Sequence, residues 1–266
     1  MLYRLNRSTA ITAIFIASAL CTLPAQATGI SSASGTEVKP AAVLVELFTS
    51  EGCSSCPPAD ALLRQIEGGQ TESNQLIVGI SEHVTYWNQL GWSDPFSSET
   101  YAKRQYAYGQ RFHLDSVYTP QMVINGEEQI VGSDRTGLLR AFHKGQKPQP
   151  ISVHINSVSV QNRVLVLDFS ITGNVPSGGA DLFAAVTDDN AKSSVTRGEN
   201  SGRTLSHVSV ARSITRIAKV SSQTEQTIQI QLPGPSAPSE NQGRHLILFA
   251  QAPELGRVLG VDTRAF

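Results

Sequence analysis

Apolar and polar positions follow two different patterns along the chain, and the first pattern occupies residues 40–147. Short apolar runs rich in β-branched residues alternate there with stretches of helical spacing. The predicted elements are strands at Ala41–Phe48 and Leu76–Ile80, helices at Pro57–Ile66 and Thr136–His143, a mainly helical stretch over 84–112, and a hairpin of Met122–Ile124 and Gln129–Val131 around Asn125-Gly126. This order of elements predicts an α/β domain with a central mixed sheet.

The second pattern follows a linker at residues 144–150 and has a period of two. The predicted strands are Ile151–Val160, Val164–Ile171, Asp181–Val186, Val208–Val220, Thr227–Leu232, His245–Ala250 and Val258–Val261. Short strands with little helix between them predict an all-β, sandwich-like domain over residues 151–266. The predicted fold class is therefore an α/β domain followed by a separate β-sandwich-like domain.

Residues 1–27 have the organisation of a secretory signal peptide. Arg4 and Arg7 precede an apolar run, and the segment ends on Ala25-Gln26-Ala27. The run is about a dozen residues long, shorter than the roughly 20 that cross a bilayer, so we expect no stable membrane insertion after cleavage. Residues 28–39, rich in Ser, Gly and Ala, predict a flexible leader. A periplasmic or secreted protein is expected.

Composition and charge exclude several classes of function. The 21 Lys and Arg residues balance 22 Asp and Glu residues, which gives a net charge of -1 and no basic footprint for nucleic acid. The sequence has no phosphate-binding loop, dinucleotide fingerprint or serine nucleophile elbow. Cleavage of the signal peptide removes Cys21 and leaves Cys53 and Cys56 as the cysteines of the mature chain.

The Cys53-Ser54-Ser55-Cys56 motif lies between a predicted strand and a predicted helix. Unpaired amides at a helix N-terminus stabilise a thiolate, so we expect a lowered pKa for Cys53. Cys56 is close enough to attack a mixed disulfide on Cys53 and expel the partner thiol. The motif favours thiol–disulfide exchange with protein or small-thiol partners, in which Cys53 is the nucleophile and Cys56 the resolving cysteine.

Two plainer uses of the cysteine pair remain open. A structural disulfide that closes so short a loop gains only about 2 kcal/mol, against about 4.7 kcal/mol for a 100-residue loop. Two cysteines also supply half of a tetrahedral zinc site, and the sequence has no second Cys-x-x-Cys and no paired histidines to complete it. Exchange is the favoured hypothesis.

Several segments together resemble a known superfamily. The element order, the Cys-x-x-Cys motif at a strand-to-helix junction and the Thr119-Pro120 step before a strand resemble thioredoxin-like proteins. Within that superfamily, residues 45–60 (VELFTSEGCSSCPPAD) are similar to an uncharacterised family of secreted bacterial proteins. The match continues at residues 83–87, 90–96, 118–122 and 198–205, so it covers nearly the whole mature chain.

The resemblance implies a thioredoxin-like domain with a helical insertion and a cis Thr119-Pro120 bond that faces the cysteines. It also implies that the backbone of Thr119 pairs with a substrate strand. Glu46 resembles the buried acid that helps thioredoxins deprotonate the resolving cysteine, which makes it a candidate general base for Cys56. Glu51 is expected to be a solvated turn residue.

Two alternative functions use other features of the chain. His83 ends a predicted strand and could complete a Cu(I) site with the two sulfurs, to which Met122 could add a thioether. The protein would then bind or deliver copper. In the other alternative, the β-sandwich binds a partner, the first domain is a scaffold, and Glu199 and Arg203 form a surface pair or an interdomain contact. Otherwise no cofactor is predicted besides the redox-active disulfide.

Overall fold

The computed structural model describes residues 41–144, 148–233 and 243–266, so the predicted signal peptide and leader lie outside the described residues. The described helices are α1 (Pro57–Ile66), α2 (Glu99–Arg111) and α3 (Arg135–Lys144), with a short 3-10 turn at Asn88–Leu90. The described strands are β1 (Ala42–Thr49), β2 (Leu76–His83), β3 (Gln121–Ile124), β4 (Glu128–Val131), β5 (Ile151–Gln161), β6 (Val164–Gly173), β7 (Ala180–Ser194), β8 (Thr204–Val220), β9 (Thr224–Gln231), β10 (Arg244–Gln251) and β11 (Val258–Ala265). Among the helices described, none is long and apolar enough to cross a membrane.

Eight strands form one mixed sheet in the order β11-β10-β7-β8-β2-β1-β3-β4, and β5, β6 and β9 form a second sheet. β1 runs parallel to β2 and antiparallel to β3. β8 joins the other edge of β2 in parallel, where Ser81 pairs with Val210. The larger sheet therefore contains strands from both halves of the chain.

The predicted fold class is wrong, because the two halves do not form separate architectures. Strands make up 48% of the described residues and helices only 17%, so the fold is mostly β and not a thioredoxin-like α/β domain with a helical insertion. β7, β8, β10 and β11, for which the period of two predicts a separate sandwich, extend the sheet of β1 to β4. A free outer edge of β2 would leave backbone groups unpaired, and β8 covers this edge.

β7 and β8 are long enough to serve two regions of the molecule. Near Ala180–Val186, the large sheet packs its apolar face against the smaller sheet, with Phe169, Leu182 and Leu248 in the shared core. Register shifts at Val186 and Thr187 mark where the strands leave this core. Beyond that point β7 and β8 run toward β2, α1 and the cysteine motif.

The two faces of β1 pack against different helices, because successive side chains point to opposite sides of a strand. Val45 and Leu47 pack with Ala59 and Leu63 of α1, and Met122 of β3 joins the same cluster. Phe48 packs instead with Tyr108 of α2. Residues of β1 that share the parity of Phe48 therefore face away from α1.

Candidate functional site

Cys53 and Cys56 form a disulfide in the turn between β1 and α1. The Cys53 N–H donates to the Ser50 carbonyl and the Cys56 N–H donates to the Cys53 carbonyl, each at 3.2 Å, so the turn is closed by its own backbone. Both cysteines are 0% exposed, whereas Ser54 and Ser55 between them are exposed. A partner thiol thus meets the two serines before it meets either sulfur.

The run of unpaired amides predicted beside Cys53 is absent from the first turn of α1. Pro57 and Pro58 have no N–H, and the amides of Ala59 and Asp60 donate to the Cys56 carbonyl at 2.9 and 3.1 Å. The hydroxyl of Ser55 lies 3.4 Å from Cys53 Sγ. In the reduced protein, the helix dipole and this hydroxyl can still stabilise a thiolate at Cys53.

Thr119-Pro120 lies beside the motif, and the peptide bond between them is cis, as the resemblance implied. Trp87 connects this bond to the motif, because its Nε1 donates to Thr119 Oγ1 at 2.8 Å and its Cβ packs against Gly52. The Pro120 carbonyl accepts from Gly132 at 2.9 Å. Among the described residues, no hydrogen bond to the backbone N–H or C=O of Thr119 is formed, and Thr119 is half-buried.

Glu46 lies on the opposite face of β1 from α1 and Cys56. Its carboxylate accepts from Arg104 Nε at 2.5 Å and from the Tyr108 hydroxyl at 2.6 Å, both on α2. Burial and the negative charge of Glu46 raise the pKa of neighbouring Glu82 well above its usual value, although the charge of Arg104 opposes this shift. Glu46 is thus committed to an ion pair in the sheet, and the geometry gives no support to its role as a base for Cys56.

The acids that flank the disulfide are Glu51 and Asp60, and both are buried. Glu51 accepts from Trp92 Nε1 at 2.8 Å, from the Ser193 hydroxyl and from His207 Nε2 at 3.1 Å. It is 0% exposed, so the expectation of a solvated turn residue is wrong. Asp60 accepts from the Thr49 hydroxyl at 3.0 Å and lies 3.7 Å from His207 Nδ1.

His207 of β8 therefore contacts the acids on both sides of the cysteine pair. Burial lowers the pKa of its imidazole, but the hydrogen bonds and charges of Asp60 and Glu51 outweigh burial and raise that pKa to about 10. The imidazole is positively charged at neutral pH. It balances one of the two buried negative charges.

His207 gives a pH-dependent contribution to stability that a neutral residue cannot give. The folded protein retains its proton between pH 6.5, the ordinary value, and a pKa of about 10, whereas the unfolded chain loses it, so the free energy of unfolding falls as pH rises through this window. We expect the stability advantage of the wild type over His207→Gln to shrink by about 1–3 kcal/mol from pH 6.5 to 9.5. Urea unfolding of both proteins measures it. A constant difference would contradict the charged state.

His83, which the copper alternative would use, lies in the same cluster and contacts Asp94. Its Nδ1 is 2.7 Å from Asp94 Oδ2, which also accepts from the Glu51 amide at 2.8 Å. Burial raises the pKa of Asp94, but His83 and the hydrogen bonds outweigh it and hold that pKa below its usual value. In the described part of the chain, no group of three His, Cys, Asp or Glu side chains is arranged to hold a metal ion, and Met122 points into the α1 core.

The β7–β8 loop, residues 195–203, covers the cysteine turn. Asn200 is 1% exposed, and its Nδ2 donates to the carbonyls of Glu51 at 2.9 Å and Cys53 at 3.0 Å. The carboxylate of Glu199 accepts from the Ser54 amide at 3.1 Å. Arg203 donates to Asn200 Oδ1 at 2.9 Å, so Glu199 and Arg203 do not pair with each other but both support the cover.

Glycine permits the close approach of this loop to the 3-10 turn. Gly198 has a φ of +74°, and a Cβ at this position would lie 3.3 Å from Trp92 Cβ. Gly91 has a φ of +107°, and a Cβ at this position would lie 3.6 Å from the backbone of Gly198. Both positions need a left-handed backbone that other residues rarely adopt. The loop from the second half of the chain is thus fitted to the segment that carries Trp92 and Asp94.

Residues 44–251 match a family model described as "Protein of unknown function (DUF1223)". A crystal structure of a protein from Agrobacterium tumefaciens is similar, with 26% identity and a TM-score of 0.60 over 85% of this chain and 94% of that chain. HBP35 of Porphyromonas gingivalis has the same TM-score of 0.60 at 12% identity, over 85% of this chain and 75% of that one, which shows similarity of fold alone. No curated protein matches the sequence.

Proposed function

The chain belongs to the DUF1223 family of proteins of unknown function, and we propose that it is an exported thiol–disulfide exchange protein that uses the Cys53–Cys56 pair. The observation that carries this proposal is the placement of the disulfide at the start of α1, with Thr119-Pro120 held beside it through Trp87. The open backbone of Thr119 suits an extended segment of a partner protein. The signal-like residues 1–27 support export.

The exchange proceeds in two balanced steps. A thiolate of the partner attacks Cys53 Sγ, forms a mixed disulfide and releases the Cys56 thiolate, which takes up a proton. A second thiolate of the partner then attacks the partner sulfur of the mixed disulfide and releases Cys53. Two electrons and two protons pass from the partner dithiol to Cys53 and Cys56, and the reverse sequence oxidises a partner.

We infer that access to Cys53 involves movement of the β7–β8 loop, because Cys53 is buried and Asn200 of this loop donates to its carbonyl. The loop is held at the turn by Asn200 and Glu199, and each hydrogen bond contributes only about 0.5–1.5 kcal/mol net. The free energy of opening this loop is therefore expected to be smaller than the free energy of unfolding the whole protein. The buried disulfide is the closed state of the site.

Trapping with glutathione tests the proposal and the order of the cysteines. In reduced Cys56→Ser, oxidised glutathione should form a stable mixed disulfide on Cys53. In Cys53→Ser, Cys56 should react at least about tenfold more slowly, because the Ser55 hydroxyl that can stabilise a thiolate lies at Cys53 Sγ. Mass spectrometry of the intact proteins measures both products.

Other outcomes separate the alternative functions. Equal, slow modification of both variants would contradict exchange and favour a structural bond. Tight stoichiometric binding of Cu(I) by the reduced wild type in competition with a chelator, lost in Cys53→Ser, would favour copper handling instead. Unchanged partner binding by the Cys53→Ser, Cys56→Ser double variant would favour a partner-binding role.

A further inference from the structure

A buried charged group connects the two ends of the cysteine motif. His207 contacts Glu51, two residues before Cys53, and Asp60, four residues after Cys56. All three side chains are buried and come from three different elements: the turn after β1, helix α1 and strand β8. The proposed exchange chemistry does not use any of them directly.

Acidic and aromatic side chains surround His207. Glu51 and Asp60 are the charged groups that face it, and the ring of His83, at the end of β2, lies 4.6 Å from its ring between centroids. The ring centroid of Phe96 lies 5.7 Å from that of His207. Asp94 forms a hydrogen bond with His83.

We propose that His207 is a positioning residue for thiol–disulfide exchange, which holds the two carboxylates beside the motif and favours its reduced, thiolate form. The inference rests on the proposed function. A new thiolate near Glu51 and Asp60 is destabilised by two like charges, and the imidazolium between them offsets this repulsion. Through Glu51, His207 also fixes the turn that carries Cys53, because Trp92 and Ser193 hold the same carboxylate.

The substitutions His207→Gln and Asp60→Asn should act in opposite directions. His207→Gln removes the positive charge, so the equilibrium with glutathione should shift about tenfold toward the disulfide, which corresponds to about 30 mV. Asp60→Asn removes a negative charge at the same place and should shift the equilibrium toward the dithiol. A role in packing alone predicts no such opposition of sign.

His143→Gln is the matched control. His143 of α3 also lies beside a carboxylate, with its Nε2 3.5 Å from Glu72, but both side chains of this pair are exposed. The His143→Gln substitution should leave unchanged both the equilibrium with glutathione and the pH profile of alkylation of reduced Cys53. In His207→Gln that profile should move to higher pH.

The outcomes separate the inference from the proposed function. If the wild-type disulfide equilibrates with glutathione and both His207→Gln and Asp60→Asn match it in equilibrium constant and pH profile, the role of His207 is refuted and exchange stands. If the folded wild type does not equilibrate with glutathione at all, both proposals are refuted. Should His207→Gln fail to fold, the direction of the shift in Asp60→Asn decides.

Discussion

Replacement of Arg104 by methionine is expected to lower the free energy of unfolding by about 3–5 kcal/mol. The guanidinium of Arg104 is buried, with Nε 2.5 Å from Glu46 and 4.0 Å from Glu82. Its Nη2 donates to Gln251 of β10 at 3.0 Å. Methionine fills similar volume but leaves the Glu46 carboxylate without its cation inside the protein. Urea unfolding at pH 7 measures the loss.

The control for this prediction is Arg140→Met, because Arg140 is an exposed residue that lies 3.9 Å from Asp134. Arg140→Met should change the free energy of unfolding by no more than about 0.5 kcal/mol. Adding Glu46→Leu to Arg104→Met should recover part of the lost stability, since the unpaired carboxylate is then removed. A loss below 1 kcal/mol in Arg104→Met would contradict a stabilising role for the buried pair of Arg104 on α2 and Glu46 on β1.

Asn200→Ala is expected to accelerate reduction of the disulfide by dithiothreitol about 5- to 30-fold. Alanine cannot make the two hydrogen bonds to the carbonyls of Glu51 and Cys53, and their loss favours the open β7–β8 loop by about 1–2 kcal/mol. When opening is a rapid pre-equilibrium, the rate follows the open population. The rate of disulfide reduction is measured under excess dithiothreitol, by alkylating the free thiols in samples quenched at successive times.

Asn156→Ala is the comparison for this variant. Asn156 is exposed and accepts only from Ser170 at 3.1 Å with its side chain, far from the cysteine turn in sequence and in the smaller sheet. Its reduction rate should equal that of the wild type. An unchanged rate in Asn200→Ala would mean that reductants reach the sulfurs without movement of the loop, and the closed-site account would be wrong.

Local patterns in the sequence predicted individual elements well. Pro57 at the first helical position and the spacing of Leu62, Leu63 and Ile66 gave α1 its observed bounds. Asn125-Gly126 forms the predicted hairpin, with φ of 49° and 66° at the two residues. These features depend on neighbours along the chain, which periodicity and turn chemistry report directly.

The pairing of strands could not be predicted in the same way. Alternation shows that β7 and β8 are strands, but it does not show that β8 belongs to the sheet of β1 and pairs with β2 at Ser81 and Val210. That pairing joins residues far apart in sequence, and a period of two is the same whichever sheet a strand joins. The separate sandwich was therefore predicted where one continuous sheet exists.

The residues of the candidate site also differ in whether local sequence marks them. Cys53, Cys56 and Thr119-Pro120 were found because a motif and a resemblance mark them. Glu46 was proposed as a base for Cys56, whereas its position on β1 places it on the α2 face, beside Arg104 and Tyr108. Asn200 and His207 were missed, since their contacts with Glu51 span about 150 residues and no local spacing reveals them.

The central claim is that Cys53 and Cys56 exchange disulfides within the folded protein. The most direct measurement is the fraction of reduced pair in glutathione buffers of increasing reducing power, by alkylation and mass spectrometry, while circular dichroism monitors the fold. We predict a single reversible transition at a potential above about -300 mV, with the fold intact. A pair that stays oxidised until the protein unfolds would contradict the account.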